Sequence, residues 1–324
     1  TRSLCDWSSD VCSSDLPGVG IFGTGPLAKT VVMMLKENGF TIAAVWSRTL
    51  KDAEQFASEM CIPVATNKAD GLLLKPEVGC VVIVCPPHLQ SPIAVKAMGI
   101  GKHVIATWPA GTSQLEVLKM VKGASYYPSL LSMMCHGLRF LPSLTIMKEH
   151  FNSGHIGELF LFEVKVHCGT VFEEYGWECD SLMGGGALSM HGSYVIDIIS
   201  YLSGKKAKSV NGMTQTYVKD TDTVHGVRQI TCDDFCTFQL EMETGLTASC
   251  TVNSLCFGDF TLEIIAVGSK GRLVARNHDL YVCLNDQKEE LILHKETKPD
   301  EAGGDKQDYI PSGRLPFPIG QYYF

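Results

Sequence analysis

The stretch Val19-Gly20-Ile21-Phe22-Gly23-Thr24-Gly25-Pro26-Leu27-Ala28 limits what this chain can fold into more than any other. Val19 to Phe22 is an apolar run of strand length. From Leu27 to Asn38 apolar residues recur at helical spacing (Leu27, Val31, Met34, Leu35) until Gly39 stops the helix. Between them stands Gly23-x-Gly25-x-x-Ala28. The first glycine allows a tight reversal, the second lets backbone approach a pyrophosphate, and the small third residue lets helix pack on strand. Pro26 suits the first helical turn, where its missing N–H is not needed. The free N–H groups there suit an anion. The loop alone could be an ordinary glycine turn; a strand before it and a helix after it favour a dinucleotide-binding loop. Gly23, Thr24, Gly25, Pro26 and Leu27 are then the expected contacts.

The alternation continues. Thr41 to Trp46 reads as a strand, Lys51 to Met60 as a helix, and Val78 to Cys85 as a buried strand ended by Pro86-Pro87. Ser91 to Gly99 reads as a helix and Lys102 to Ala106 as a strand. This pattern predicts a parallel, doubly wound α/β sheet. The second strand ends in Trp46-Ser47-Arg48-Thr49. NAD sites usually carry an acid there, for the ribose 2′-hydroxyl. Here Arg48 can pair with a 2′-phosphate and Ser47 can hydrogen-bond it. Such a charge-assisted contact is worth about 1.5–3 kcal/mol, or roughly ten- to hundredfold in affinity. The expected cofactor is NADP(H); a plain solvated Arg48 is the alternative.

After about Ser125 the pattern changes. Leu159 to His167, Val210 to Val218, Phe235 to Glu243, Leu246 to Ser254, Phe260 to Gly268, Gly271 to Arg276 and Leu280 to Leu284 read as strands. One helix, Leu188 to Leu202, interrupts them. Short turns such as Glu243-Thr244-Gly245 and Ser269-Lys270-Gly271 predict antiparallel pairing. The expected organisation is a Rossmann domain over 16–125 and an α+β domain with a mostly antiparallel open sheet over 126–298. Residues 1–15, with Ser-Ser-Asp repeated, read as a translated sequencing adapter, and 299–324 as a truncated or aberrant tail.

Composition narrows the function classes. The chain has 27 basic and 35 acidic residues, a net charge of −8. Leaving out Arg2, Asp6, Asp10 and Asp15 changes −8 to −6. Nucleic-acid and anionic-membrane binders want a basic face, so neither partner is expected. The longest apolar stretches are strand-sized, so no membrane span is expected. The 13 cysteines are scattered without a repeated spacing, which suggests buried thiols in a reducing, cytoplasmic setting. Secretion stays open, because a leader could precede the sequence. On a strand, Cys232 and Cys236 would lie about 13 Å apart, too far to share an ion. The histidines lack ligand spacing, so no metal site is expected.

Several further motifs converge on one family. They are Cys85-Pro86-Pro87-His88, Gly101-Lys102-His103-Val104-Ile105, Arg139-Phe140-Leu141-Pro142, and Ser153-Gly154-His155-Ile156-Gly157-Glu158. Gly184-Gly185-Gly186-Ala187-Leu188 follows, with Asp197 and Leu202-Ser203-Gly204 beyond it; Trp177 and Asp233-Asp234-Phe235 are shared as well. With these the chain resembles the Gfo/Idh/MocA oxidoreductases, and within them the glucose-fructose oxidoreductase domain-containing proteins of animals. The likeness runs from Leu16 to about Ser312. It implies hydride transfer on a sugar-like or small carbonyl or alcohol substrate. It adds Pro86, His88 and Trp108 to the cofactor contacts, and it implies a homodimer joined through the open sheet.

The resemblance also implies a lysine after the fifth strand, and an aspartate and a histidine on the helix after the triple glycine. Here Trp108, Met190 and Tyr194 stand at those positions. Tyr194 could donate a proton with His191, three residues away, as its partner. Alternatively His191 is a packed or surface helix residue. The changed positions leave two expectations: an oxidoreductase with altered proton handling, or a catalytically inactive NADP(H)-binding protein with a structural, sensory or assembly role.

Overall fold

Six short strands, most of them rich in small and β-branched residues, form one parallel sheet in the first part of the chain. The computed structural model describes residues 16–169, 175–256, 260–285 and 287–293. The expectations for 1–15 and 299–324 fall outside the described residues. The chain divides into two compact units between Cys135 and His136.

In the first unit the chain runs β1 (Gly18–Phe22), α1 (Pro26–Glu37), β2 (Ile42–Trp46), α2 (Leu50–Glu59), β3 (Ala65–Thr66) and α3 (Ala69–Leu73). It continues through β4 (Val78–Ile83), α4 (Pro87–Gly99), β5 (His103–Thr107), α5 (Gln114–Tyr126) and β6 (Ser132–Cys135). The strand order is β3-β2-β1-β4-β5-β6, all parallel. Two apolar layers sandwich the sheet. Val31 and Val32 of α1 and Phe56 of α2 pack with Val19, Ile21 and Val45 on one face. Leu72 and Leu73 of α3 and Ile93, Ala94 and Met98 of α4 pack with Val81, Ile83 and Val104 on the other. The doubly wound expectation is borne out. The first sheet reaches past Ser125, however, because β6 pairs with β5. Ser132-Met133-Met134-Cys135 is too short and too exposed to announce itself as a sheet strand. The helix read from Ser91 begins earlier, at Pro87, which occupies its first position.

The second unit contains α6 (Pro142–Asn152), β7 (Leu159–His167), α7 (Ser193–Ser203), β8 (Ala207–Gln215), β9 (Phe235–Met242), β10 (Thr247–Asn253), β11 (Thr261–Gly268), β12 (Gly271–Arg276), β13 (Asp279–Leu284) and β14 (Glu290–Leu293). Its sheet has the order β14-β13-β12-β11-β7-β10-β9-β8. Every pair is antiparallel except β7 with β10. Phe162, Val164 and Val166 of β7 are buried while Glu163 and Lys165 between them are exposed, the alternation of a sheet covered on one face. The helix read as Leu188 to Leu202 is not uniform: a π-turn, Leu188–Gly192, precedes α7.

Candidate functional site

Because all strands of the first sheet are parallel, their C-terminal ends share one edge. The strand order reverses between β1 and β4, and a crevice at such a reversal is where open α/β sheets bind ligands. Gly23 leaves β1 with φ +127, and a Cβ there would stand 2.1 Å from the Val84 carbonyl oxygen. Its N–H donates to Trp46 O at 2.9 Å, tying the loop to β2. Gly25 is the N-cap of α1 and offers no side-chain cap to the first turn. A Cβ on Gly25 would meet nothing within 4 Å, so bare backbone faces open space at a helix N-terminus. Ala28 is fully buried against the sheet. These residues fit a pyrophosphate: a tight turn, an uncapped helix start and room for the ligand.

At the end of β2, Ser47 is buried and its hydroxyl lies 3.3 Å from Thr24 Oγ1. This contact ties the second strand to the glycine loop. Arg48 is exposed, and among the described residues it makes no ion pair. Thr49 caps α2 by accepting from the Asp52 N–H at 3.2 Å. Pro86 is the N-cap of α4 and His88 lies in its first turn. Trp108 follows β5 directly and is half-buried. The backbone thus brings the loop, Ser47, Arg48, Pro86, His88 and Trp108 to one edge of one sheet.

The sequence reading missed Gln90. It is 1% exposed. Its Nε2 donates to Cys85 O at 3.2 Å and to Thr107 Oγ1 at 3.3 Å, and the Thr107 hydroxyl donates to Ile83 O at 3.0 Å. These bonds tie the start of α4 to the ends of β4 and β5. A glutamine three residues after a proline pair carries no sequence signal, since only the sheet brings Thr107 to it.

In the second unit the triple glycine delivers the chain into the π-turn. Gly186 has φ +116, and a Cβ there would stand 2.3 Å from Asp233 Oδ1. Asp233 accepts the Leu188 N–H at 2.7 Å and so caps the turn. Burial raises its pKa against the lowering effect of that N–H. Asp234 accepts from the backbone N–H groups of Tyr217 and Val218. The Asp233-Asp234 motif is therefore a backbone clamp. Met190 and His191 lie in the π-turn and Tyr194 in α7. His191 is 7% and Tyr194 2% exposed, and the His191 ring sits 6.3 Å from that of Phe260. The π-turn has a wider repeat than an α-helix, so the three-residue spacing of His191 and Tyr194 does not by itself give them a common face.

A charged cluster holds α7 from behind. Arg139 pairs with Asp197 through Nε at 2.9 Å and Nη2 at 2.5 Å, and His136 Nδ1 lies 3.3 Å from the same carboxylate. Burial would raise the Asp197 pKa, but His136 and Arg139 outweigh it and hold it at about 2. Lys148 donates to the carbonyls of Tyr201 and Leu202, closing the helix end. Cys232 lies ahead of β9, packed with Cys179, rather than on one strand with Cys236. Among the described residues no group of three or more His, Cys, Asp or Glu side chains could hold a metal ion, and no helix is long and apolar enough to cross a membrane.

The model for an oxidoreductase family with an NAD-binding Rossmann fold matches residues 18–133. The GFO/IDH/MocA C-terminal domain matches residues 144–274. Glucose-fructose oxidoreductase domain-containing protein 1 of Xenopus tropicalis is 44% identical over 285 residues, covering 88% of this chain and 73% of that protein. The human domain-containing protein 2 is 40% identical over 289 residues, covering 89% and 74%. Among solved structures, levoglucosan dehydrogenase in complex with NADH and L-sorbose superposes with a TM-score of 0.76 at 20% identity, covering 85% of this chain and 79% of that one. A putative NADPH-dependent oxidoreductase from Desulfitobacterium hafniense gives 0.73 at 20% identity, covering 86% and 82%. The glycine loop at the sheet reversal, the second sheet and these relatives together show that this chain belongs to the Gfo/Idh/MocA oxidoreductase family.

Proposed function

We propose that the chain is an NADP(H)-dependent oxidoreductase acting on a sugar-like or small carbonyl or alcohol substrate. The observation that carries the cofactor reading is Arg48, exposed and without an ion pair among the described residues, beside the buried Ser47 hydroxyl at the end of β2. No acid occupies positions 46–49. Gly23, Thr24, Gly25, Pro26 and Leu27 would hold the pyrophosphate, Ser47 and Arg48 the 2′-phosphate, and Pro86, His88 and Trp108 the remaining edge. The bound nicotinamide supplies hydride exchange. A carbonyl reduction also consumes a proton, which Tyr194 would give from its hydroxyl, with His191 as its partner. The substrate class rests on the family. Assembly as a homodimer, through the open face of the second sheet, belongs to the same reading.

One observation favours binding without turnover. Trp108 and Met190, which cannot move a proton, stand where the family resemblance implies a lysine and an aspartate. Two measurements separate the readings. In fluorescence titrations NADPH should bind at least tenfold more tightly than NADH, and Arg48→Ala should remove roughly ten- to hundredfold of that affinity while leaving NADH unchanged. Equal affinities in the unmodified protein would sink the NADP preference. Oxidation of NADPH by a panel of sugars and diketones supports the enzyme; tight binding with no oxidation above background supports the binding protein.

A further inference from the structure

We infer that Thr24 sets the preference for a 2′-phosphate by fixing the direction in which the Ser47 hydroxyl donates. The inference rests on the dinucleotide site proposed above and gives that site a positioning residue. Thr24 is the first residue after the reversal at Gly23. β1 and β2 pair in parallel up to Phe22 opposite Trp46, and the Gly23 N–H then donates to Trp46 O at 2.9 Å. One step further on, Thr24 stands beside Ser47, with Thr24 Oγ1 3.3 Å from Ser47 Oγ. Ser47 is held from the other side as well, since its N–H donates to Thr66 O at 3.1 Å. Backbone bonds thus anchor both residues of the hydroxyl pair.

Each hydroxyl has one proton to donate and two lone pairs to accept with. Their mutual bond uses one proton of the two. Among the described residues neither hydroxyl has another partner, so one proton of the pair is left to donate elsewhere. The neighbouring hydroxyls are already engaged. Thr49 accepts the Asp52 N–H at 3.2 Å, and Thr30 donates to Pro26 O at 3.4 Å. The uncommitted proton therefore belongs to Thr24 or Ser47, directly beside the exposed Arg48.

The charged oxygens of a phosphate accept hydrogen bonds and do not donate them. To donate to one, Ser47 must keep its own proton free, so the mutual bond must run from Thr24 to Ser47. The order is then Thr24 O–H to Ser47 Oγ, and Ser47 O–H to phosphate, each bond polarising the next. Arg48 supplies the charge. A ribose 2′-hydroxyl makes no such demand, because it both donates and accepts and suits either direction of the Thr24–Ser47 bond. The Thr24 hydroxyl thus acts on the difference between the two cofactors, while backbone N–H groups of the loop meet the pyrophosphate they share.

The test is fluorescence titration of the intact protein with NADPH and with NADH, and its readout is the ratio of the two dissociation constants. Thr24→Val, which keeps the branched shape and removes the hydroxyl, should lower the preference for NADPH roughly three- to tenfold. Thr24→Ser should keep most of the preference. In a Ser47→Ala background Thr24→Val should lower the ratio no further, since Thr24 acts through Ser47. A ratio unchanged by Thr24→Val overturns the inference, whatever happens to the two affinities together, because a residue that only shapes the loop weakens both cofactors alike. A full Thr24→Val effect in the Ser47→Ala background overturns it too. If Thr24→Val does not fold, Thr24→Ala makes the same comparison. Equal affinities in the unmodified protein sink the NADP(H) reading and this inference with it; a clear preference that ignores Thr24→Val sinks this inference alone.

Discussion

Asp197 shows how much one residue's neighbours can decide. In the sequence it is a lone acid on an apolar helix. In the fold it faces Arg139 and His136, which hold its pKa at about 2, below the ordinary 3.8. A carboxylate lowered in the folded state contributes stability that is complete above about pH 4. That contribution is lost as the pH falls through about 2. A depression of this size corresponds to about 2 kcal/mol. Asp197→Asn should therefore cost about that much in urea unfolding at pH 7, with the gap to the unmodified protein closing between pH 4 and 2. A gap that does not change with pH would mean the carboxylate's charge is not what stabilises α7. Arg139 and Asp197 were visible in the sequence as parts of two motifs 58 positions apart. Their pairing was not, because nothing local links the turn before α6 to the middle of α7. Gly23 is the opposite case. Its positive φ follows from a turn that must reverse within a few residues, so the local spacing already implied it; its closeness to Val84 O comes only with the pairing of β1 and β4.

At the scale of elements, legibility followed local patterning. β7 and β12 match the sequence reading residue for residue, since alternation and bounding glycines are local signals. β6 escaped because it is a short strand with two exposed residues. The π-turn escaped because the group that caps it lies elsewhere in the chain: Asp233, from the segment before β9, takes the Leu188 N–H. This cap gives a prediction at the element's own scale. Asp233→Ala should destabilise the second unit by about 1–2 kcal/mol in urea unfolding, and Asp233→Asn, which keeps an acceptor, should recover most of it. Equal losses in both would assign the effect to packing around Gly186 rather than to the cap. Gln90 and Thr107 belong to the same class: their bond joins a helix start to a strand end and appears only when the sheet closes.

For the whole molecule, cofactor binding and catalysis separate. The first unit carries all the groups proposed to hold NADP(H), and the proposed proton donor Tyr194 belongs to the second. A ligand that binds only the folded state stabilises it by about 2.7 kcal/mol at a hundredfold excess over its dissociation constant. Urea unfolding followed by the fluorescence of Trp46, which packs against Phe22 in the first unit, should show this gain with NADPH. NADH at the same concentration should give a smaller one. No gain with either cofactor would remove the dinucleotide site from this chain's function.

The sequence by itself determined the parallel sheet, the glycine loop and the acid-free end of the second strand. Each is written in short-range spacing or in the identity of a single residue, which local sterics and periodicity translate directly into structure. Only the tertiary structure decided which buried polar groups meet. Gln90 with Thr107, and Asp197 with Arg139 and His136, are brought together by strand order and helix packing. Burial then makes each such contact matter, because a polar group withdrawn from water must find its partner inside the protein.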